Sequence, residues 1–180
     1  MRDRIQSSTE RLVGNPRAVV ESRGCRAAVA EHVDELCSVS HARVLIVENK
    51  VNLLTLPSLP RTIALGGLGR SVTCLRNVSW LNTIPITYWG DLDVDGLAIL
   101  AALRGCFPQI QSLFMDESTL DRFAELTGVG NGREVELTGP LTHTEQQAFL
   151  RCRAHNLRLE QERIPQPDLI RQLTDEGLIL

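Results

Sequence analysis

Hydrophobic residues along this chain gather in short, unbroken blocks instead of alternating with polar ones. Val44 to Val47, Thr62 to Leu65, Ile84 to Trp89 and Ser112 to Met115 are four such blocks. Between and after them lie segments with helical spacing: Val51 to Leu56, Leu75 to Leu81, Leu97 to Arg104 and about Thr119 to Leu126. Strands that do not alternate are covered on both faces, and strand–helix repetition of this kind predicts a parallel sheet. The expected fold is therefore α/β: a parallel four-stranded sheet with helices on both faces. Upstream, residues 1 to about 23 are polar and show no sustained period, whereas Arg26 to Leu36 places Val29, Ala30, Val33 and Leu36 on one face of an amphipathic helix. Residues 1–40 thus form an N-terminal arm and helix, and residues 41–180 the α/β domain. Downstream, residues 127–140 are glycine- and proline-rich and form a loop. Thr142-His-Thr-Glu145 fits a capping box for a helix to about Ala154, and a short helix from Pro167 to Thr174 closes the chain.

Ligands of open parallel sheets collect outside the carboxyl ends of the strands. All four predicted ends carry acidic or glycine-rich residues: Glu48-Asn49-Lys50, Gly66-Gly67-Leu68-Gly69, Gly90-Asp91-Leu92-Asp93-Val94-Asp95-Gly96 and Asp116-Glu117. Asp91 and Asp93, two apart after a strand, project to one side. With Glu48 they make three hard oxygen ligands suited to Mg²⁺ or Mn²⁺, if their strands are neighbours. Read blandly, each would be a solvated loop acid. Asp116 is a weaker candidate, because with Ser118 it can simply start the following helix. Lys50 and Arg70, near strand ends, are candidate phosphate contacts, and Gly67 with its neighbouring glycines permits close approach of a phosphate to the backbone.

Two other motifs overlap this segment. Asp91-x-Asp93-x-Asp95-Gly96 copies the first half of a calcium-binding EF-hand loop, but the twelfth position, which must be Glu, is Ala102. Asp-x-Asp after a strand also occurs in phosphatases of the haloacid dehalogenase type, which need a downstream lysine. The chain's single lysine, Lys50, lies upstream.

Composition narrows the function classes. The 180 residues are 43% hydrophobic and 23% charged, ordinary for a folded domain. With 19 basic and 22 acidic residues the net charge is −3, so the chain as a whole is not an electrostatic nucleic-acid coat. Aromatic content of 4% is too sparse for a single-strand stacking platform. Cys25, Cys37, Cys74, Cys106 and Cys152 include no CxxC pair and read as small buried hydrophobes. His32, His41, His143 and His155 match no zinc spacing. The longest apolar run, Leu97 to Leu103, is far short of a bilayer span, and the N-terminus lacks a signal-peptide core. The expected setting is cytoplasmic and reducing, with no membrane partner.

The residues also carry a resemblance. Strand–Glu, glycine turn and strand–Asp-x-Asp-x-x-Gly resembles the Toprim fold of topoisomerases, bacterial-type primases and several nucleases. More closely, the chain resembles the C-terminal domain of JetD, the nuclease subunit of the Wadjet anti-plasmid system, whose Toprim is similar to that of the topoisomerase VI A subunit. The matching segments are Leu45–Lys50, Leu65–Gly69, Tyr88–Gly96, Leu113–Asp116 and Leu157–Ile164, in the expected order. Asp95 departs from the family, whose members often have a neutral or aromatic residue there. The family's N-terminal half is also missing, as in a C-terminal domain or truncated product.

The resemblance implies a Toprim-like catalytic domain over residues 41–180 that cleaves duplex plasmid DNA with Mg²⁺ or Mn²⁺. Its catalytic and metal residues would be Glu48, Asp91 and Asp93, with Glu48 either a ligand or a proton donor to the leaving oxygen. It also implies SMC-like ATPase partners and a homodimer in the full-length protein. Glu160 or Glu162 would complete a second metal position, unless both belong to a salt-bridged helix face with Arg158 and Arg163. Tyr88, the sole tyrosine, is expected to pack its ring and park its hydroxyl on a partner, leaving water as the nucleophile. The competing readings are a catalytically weak docking module for SMC-like partners, and the phosphatase described above.

Overall fold

A computed structural model of the protein describes residues 17–19, 42–66, 72 and 75–179. The predicted Arg26–Leu36 helix, Cys25, Cys37, Cys74, His32, His41, Gly67, Gly69 and Arg70 lie outside the described residues.

Strands β1 (Arg17–Val19), β2 (Arg43–Val47), β3 (Thr62–Gly66), β4 (Ile86–Trp89) and β5 (Gln111–Ser112) pair in parallel in the order β1-β3-β2-β4-β5. Four of these are the expected strands. The fifth, β1, comes from a segment whose polar sequence suggested only an arm: it joins the sheet edge beside β3. Val44 to Val47 and all of β3 are buried, as apolar runs covered on both faces must be. From β2 the chain crosses to β3 on one side, then passes back over β2 to β4 on the other. This reversal puts the crevice of the fold at the carboxyl ends of β2 and β4.

Helix α1 (Lys50–Thr55) follows β2, and Asn49 caps it by accepting from the Val51 N–H at 2.8 Å. Helix α2 (Val94–Cys106) follows β4 and starts three residues earlier than its apolar spacing suggested. Asp93 supplies the reason, since its carboxylate accepts from the Gly96 N–H at 2.8 Å in the manner of an N-cap. Helix α3 (Glu117–Arg122) is capped by Asp116, which accepts from the Thr119 N–H at 2.9 Å. After it, β6 (Gly128–Val129) pairs antiparallel with β7 (Leu157–Arg158). Helix α4 (His143–His155) carries the expected capping box: the Thr142 N–H donates to Glu145 at 2.7 Å and the Glu145 N–H donates to Thr142 Oγ1 at 3.4 Å. Helix α5 (Gln166–Asp175) ends the described chain.

Several expected elements end earlier or begin later than predicted. The expected helix from Leu75 to Leu81 is two 3₁₀ turns, at 75–77 and at Ser79–Thr83, and in the second the Asn82 and Thr83 side chains donate back to the Ser79 and Trp80 carbonyls and compete with longer helix. The fourth strand stops at Ser112 because Phe114 takes a left-handed backbone conformation (φ 57°), although Leu113 to Met115 stay buried.

Beneath α2 and α4 the guanidinium of Arg104 grips the Glu145 carboxylate, with Nη2 to Oε1 at 2.8 Å, and Ser112 Oγ donates to the same carboxylate at 2.6 Å. Burial favours the neutral acid at Glu145, but these bonds and that from Thr142 outweigh it and lower the pKa.

Candidate active site at the carboxyl ends of β2 and β4

Glu48 and Asp91 meet because β2 and β4 are direct neighbours, with Val47 opposite Trp89. The Glu48 N–H extends this ladder, donating to the Trp89 carbonyl at 3.0 Å. One residue further on the sheet ends, and the two chains turn their carboxylates into the crevice. Glu48 Oε2 accepts from Tyr88 Oη at 3.1 Å and from the Asp91 N–H at 3.4 Å. Gly90 permits this proximity, since a Cβ there would lie 2.3 Å from Tyr88 Oη and 2.8 Å from Glu48 Oε2.

Burial first and the Asp91 charge second raise the Glu48 pKa from 4.5 to about 7, against the smaller opposing effect of the Tyr88 hydrogen bond. Burial also raises the Asp93 pKa. Its bond from Gly96 opposes that shift, while the Asp91 charge adds to it. Tyr88 is itself buried and its phenol pushed well above the ordinary range by burial and then by the Glu48 charge.

The far wall of the site comes from the segment after α4. Leu159 and Leu92 exchange two backbone hydrogen bonds, of 2.9 and 3.1 Å, and lay residues 158–162 against the Asp91 turn. Arg158 then reaches Asp91 Oδ2 with Nη2 at 2.6 Å and Nε at 3.2 Å, Asp93 Oδ2 with Nε at 3.6 Å, and Glu160 at 3.5 Å. Gln161, buried, ties three parts together. Its N–H donates to Asp91 Oδ1 at 2.9 Å, its Nε2 to the Trp89 carbonyl at 2.9 Å, and its Oε1 accepts from the Asn49 N–H at 2.8 Å.

The sequence-predicted residues therefore separate. Glu48 meets the Asp91 turn through the Asp91 N–H, and Asp91 and Asp93 share the Arg158 guanidinium. Glu160 lies at their margin, paired with Arg158 and with Arg163 at 2.9 Å, on an extended segment instead of a helix face. Glu162 accepts from Asn49 Nδ2 at 2.9 Å. Asp95 turns its carboxylate to the Asn131 amide. Asp116 serves its helix cap, and Lys50 is exposed at the start of α1. Arg158 and Gln161 are the residues that spacing alone missed as partners of Asp91, because they arrive from about seventy positions downstream. Cys152 is buried beneath Asp93, its thiol pushed up to about 12 chiefly by burial. A cavity of about 180 Å³ opens beside Asp93, lined among others by Asn131, Arg133, Glu134, Arg153 and Asn156.

By type the three carboxylates suit a hard divalent cation, and burial together with the Asp91 charge disfavours the charged form of Glu48. Among the described residues, however, no three His, Cys, Asp or Glu side chains are grouped so as to hold one metal ion. Asp91 and Asp93 turn their Oδ2 oxygens to Arg158, and the positive charge at the site is a guanidinium.

The family model described as Wadjet protein JetD, C-terminal, matches residues 15–173 of the chain. No curated protein matches it. No described helix is long and apolar enough to cross a membrane.

Proposed function

The chain belongs to the Wadjet JetD C-terminal family, and from that premise we propose that it is the Toprim-like, metal-dependent endonuclease domain of an SMC-type anti-plasmid complex, hydrolysing phosphodiester bonds of duplex DNA. The observation that supports this reading is the arrangement where the strand order reverses: Glu48 accepts from the Asp91 N–H, Asp91 and Asp93 share Arg158, and the Glu48 pKa is raised to about 7. Perturbed carboxylates grouped in such a crevice are expected of an active site more than of a scaffold.

Glu48, Asp91 and Asp93 are the residues that would hold Mg²⁺ or Mn²⁺. Bound there, the ion would polarise the phosphoryl oxygen and neutralise charge on the leaving oxygen. The remaining chemistry falls to the chain's own groups. Tyr88 Oη and the Asp91 N–H aim the Glu48 carboxylate. Glu48 has one of two roles: as a ligand it would be ionised, whereas with the ion held by Asp91 and Asp93 its pKa near neutrality lets it carry the proton passed to the leaving oxygen. Water supplies the oxygen of the new P–O bond while the ester P–O bond breaks. Tyr88 does not supply it, because its hydroxyl is committed to Glu48 inside the core. Gln161 and Gly96 hold Asp91 and Asp93 still through backbone N–H groups. Arg133 and Arg153, beside the Asp93 cavity, offer positive charge to the DNA backbone.

The test is nicking of supercoiled plasmid with Mg²⁺, Mn²⁺ or EDTA, beside a small phosphate ester as substrate. Metal-dependent nicking lost in Asp93→Asn supports the reading. Hydrolysis of the small ester alone would favour a phosphatase, and inactivity on both would favour a docking module for SMC-like partners.

A further inference from the structure

We propose that Arg158 is an internal counter-ion of the acidic site, one that holds Asp91 and Asp93 together in the metal-free protein and gives way when a divalent cation binds. The proposal rests on the metal-dependent reading above and adds to it a built-in competitor.

Each aspartate divides its two oxygens between different tasks. Asp91 Oδ1 accepts from the Gln161 N–H at 2.9 Å and Asp93 Oδ1 from the Gly96 N–H at 2.8 Å, so both carboxylates are fixed to backbone on one side. The Oδ2 oxygens face Arg158, at 2.6 Å from Nη2 for Asp91 and 3.6 Å from Nε for Asp93. Exchange of a guanidinium for a metal ion at these two oxygens leaves the backbone bonds untouched. The arginine is also the more exposed partner: its side chain is 38% exposed, against 14% for Asp91 and 8% for Asp93, and it has a second acid to turn to in Glu160 at 3.5 Å.

A purely structural clamp is a poorer account of the contact. The segment carrying Arg158 is already held by the Leu92–Leu159 backbone pair and by the three bonds of Gln161. Asp93, buried, and Asp91, partly buried, neighbour a third carboxylate and do, by contrast, need a nearby cation, and arginine keeps its charge at every working pH. The competition is therefore one of charge for charge, and linkage makes it reciprocal: whatever strengthens the Arg158 contact weakens the metal by the same factor.

The experiment compares wild type, Arg158→Gln and Arg158→Lys for Mn²⁺ affinity by calorimetry and for melting temperature in EDTA and in saturating Mn²⁺. Arg158→Gln is expected to melt lower than wild type in EDTA, to bind Mn²⁺ about tenfold more tightly, and to lose its melting deficit once Mn²⁺ saturates the site. Arg158→Lys, which keeps the charge without the fork, should fall between the two and remains informative if Arg158→Gln does not fold. An equal melting deficit with and without Mn²⁺, together with unchanged or weaker Mn²⁺ affinity, would overturn the proposal and leave Arg158 a clamp, with the metal site intact. Absence of Mn²⁺ binding in wild type and both variants would overturn the metal-site reading itself.

Discussion

Tyr88 Oη donates to Glu48 Oε2 at 3.1 Å from inside the core, where the tyrosine is 1% exposed. Tyr88 belongs to β4 and Glu48 directly follows β2, the parallel neighbour of β4, so the end of the sheet sets the distance. The bond favours the charged form of Glu48 and partly opposes the burial that pushes its pKa to about 7. Tyr88→Phe removes the donor while keeping the ring, so the Glu48 pKa moves higher still. The pH profile of plasmid nicking should shift upward, with cleavage largely retained on its alkaline side. Loss of cleavage at every pH would point instead to a covalent tyrosyl step.

Glu48 also makes stability depend on pH. Its folded pKa, about 7, lies above the ordinary 4.5, so between these values the folded state binds more protons than the unfolded one. Stability of the metal-free protein should therefore fall as pH rises from about 4.5 to 7 and flatten above it, with Asp93, raised in the same direction, adding to the fall. The Glu48 share is at most about 3.5 kcal/mol, from ~1.4 kcal/mol per pKa unit. Urea melts at pH 5 and pH 8 in EDTA measure it; greater stability at pH 8 would contradict the assignment.

Glu48→Gln and Asp91→Asn should both abolish metal-dependent nicking but move stability in opposite directions. Removing the Glu48 charge relieves desolvation and like-charge crowding, and should stabilise the metal-free protein by roughly 1–3 kcal/mol at pH 8. Asp91 is different, because it carries the bonds from Arg158 and Gln161. Its neutralisation weakens charge-assisted hydrogen bonds worth about 1.5–3 kcal/mol and should destabilise. Matched shifts of the same sign would show that the two carboxylates do not occupy such different surroundings.

Much of this site is legible in the sequence because its central residues are local to strand ends. Unalternating apolar blocks reveal the parallel strands, and the acids that follow two of them fall in the crevice once those strands pair. The capping box of Thr142 and Glu145 is likewise a local signal. What escapes is long-range. Nothing in the spacing of Leu157–Ile164 shows that Arg158 and Gln161 close over Asp91, because that depends on the Leu92–Leu159 pairing between distant segments. Asp93 has two roles at once, candidate ligand and helix cap, and only coordinates reveal the second. Strand β1 escapes because three residues at a sheet edge leave no periodicity to detect.

Glu145 shows how a surface signature can conceal a buried function. The sequence offers it as the far end of a capping box, yet it is 2% exposed and is the partner of Arg104, itself 8% exposed. Glu145→Ala leaves a buried guanidinium without its counter-charge and should cost about 3–5 kcal/mol, more than a lost helix cap alone. The paired variant Arg104→Met with Glu145→Ala should recover part of that loss, because both charges leave together. Chemical denaturation of wild type, Arg104→Met, Glu145→Ala and the double variant measures the coupling, and an additive result would show the pair to be independent.

Gly96 joins the fold to the site. A Cβ at this position would sit 2.0 Å from the Asp91 carbonyl oxygen, well inside any real contact, and the obstacle is backbone that no side-chain rotation can clear. The same residue's N–H holds Asp93 Oδ1. Gly96→Ala must therefore push the Asp91 turn away from the first turn of α2, moving both aspartates together. Overpacking of this kind costs about 1–3 kcal/mol, and here the strain falls on the two aspartates proposed to hold the metal. Mn²⁺ affinity and nicking should both drop sharply, even at temperatures where the variant is folded. Gly177→Ala is the control: its φ of 65° strains an alanine, but nothing lies within 4 Å and the site is untouched. It should lower the melting temperature without changing Mn²⁺ affinity. Equal affinities in the two variants would show that the close approach at Gly96 matters only for folding.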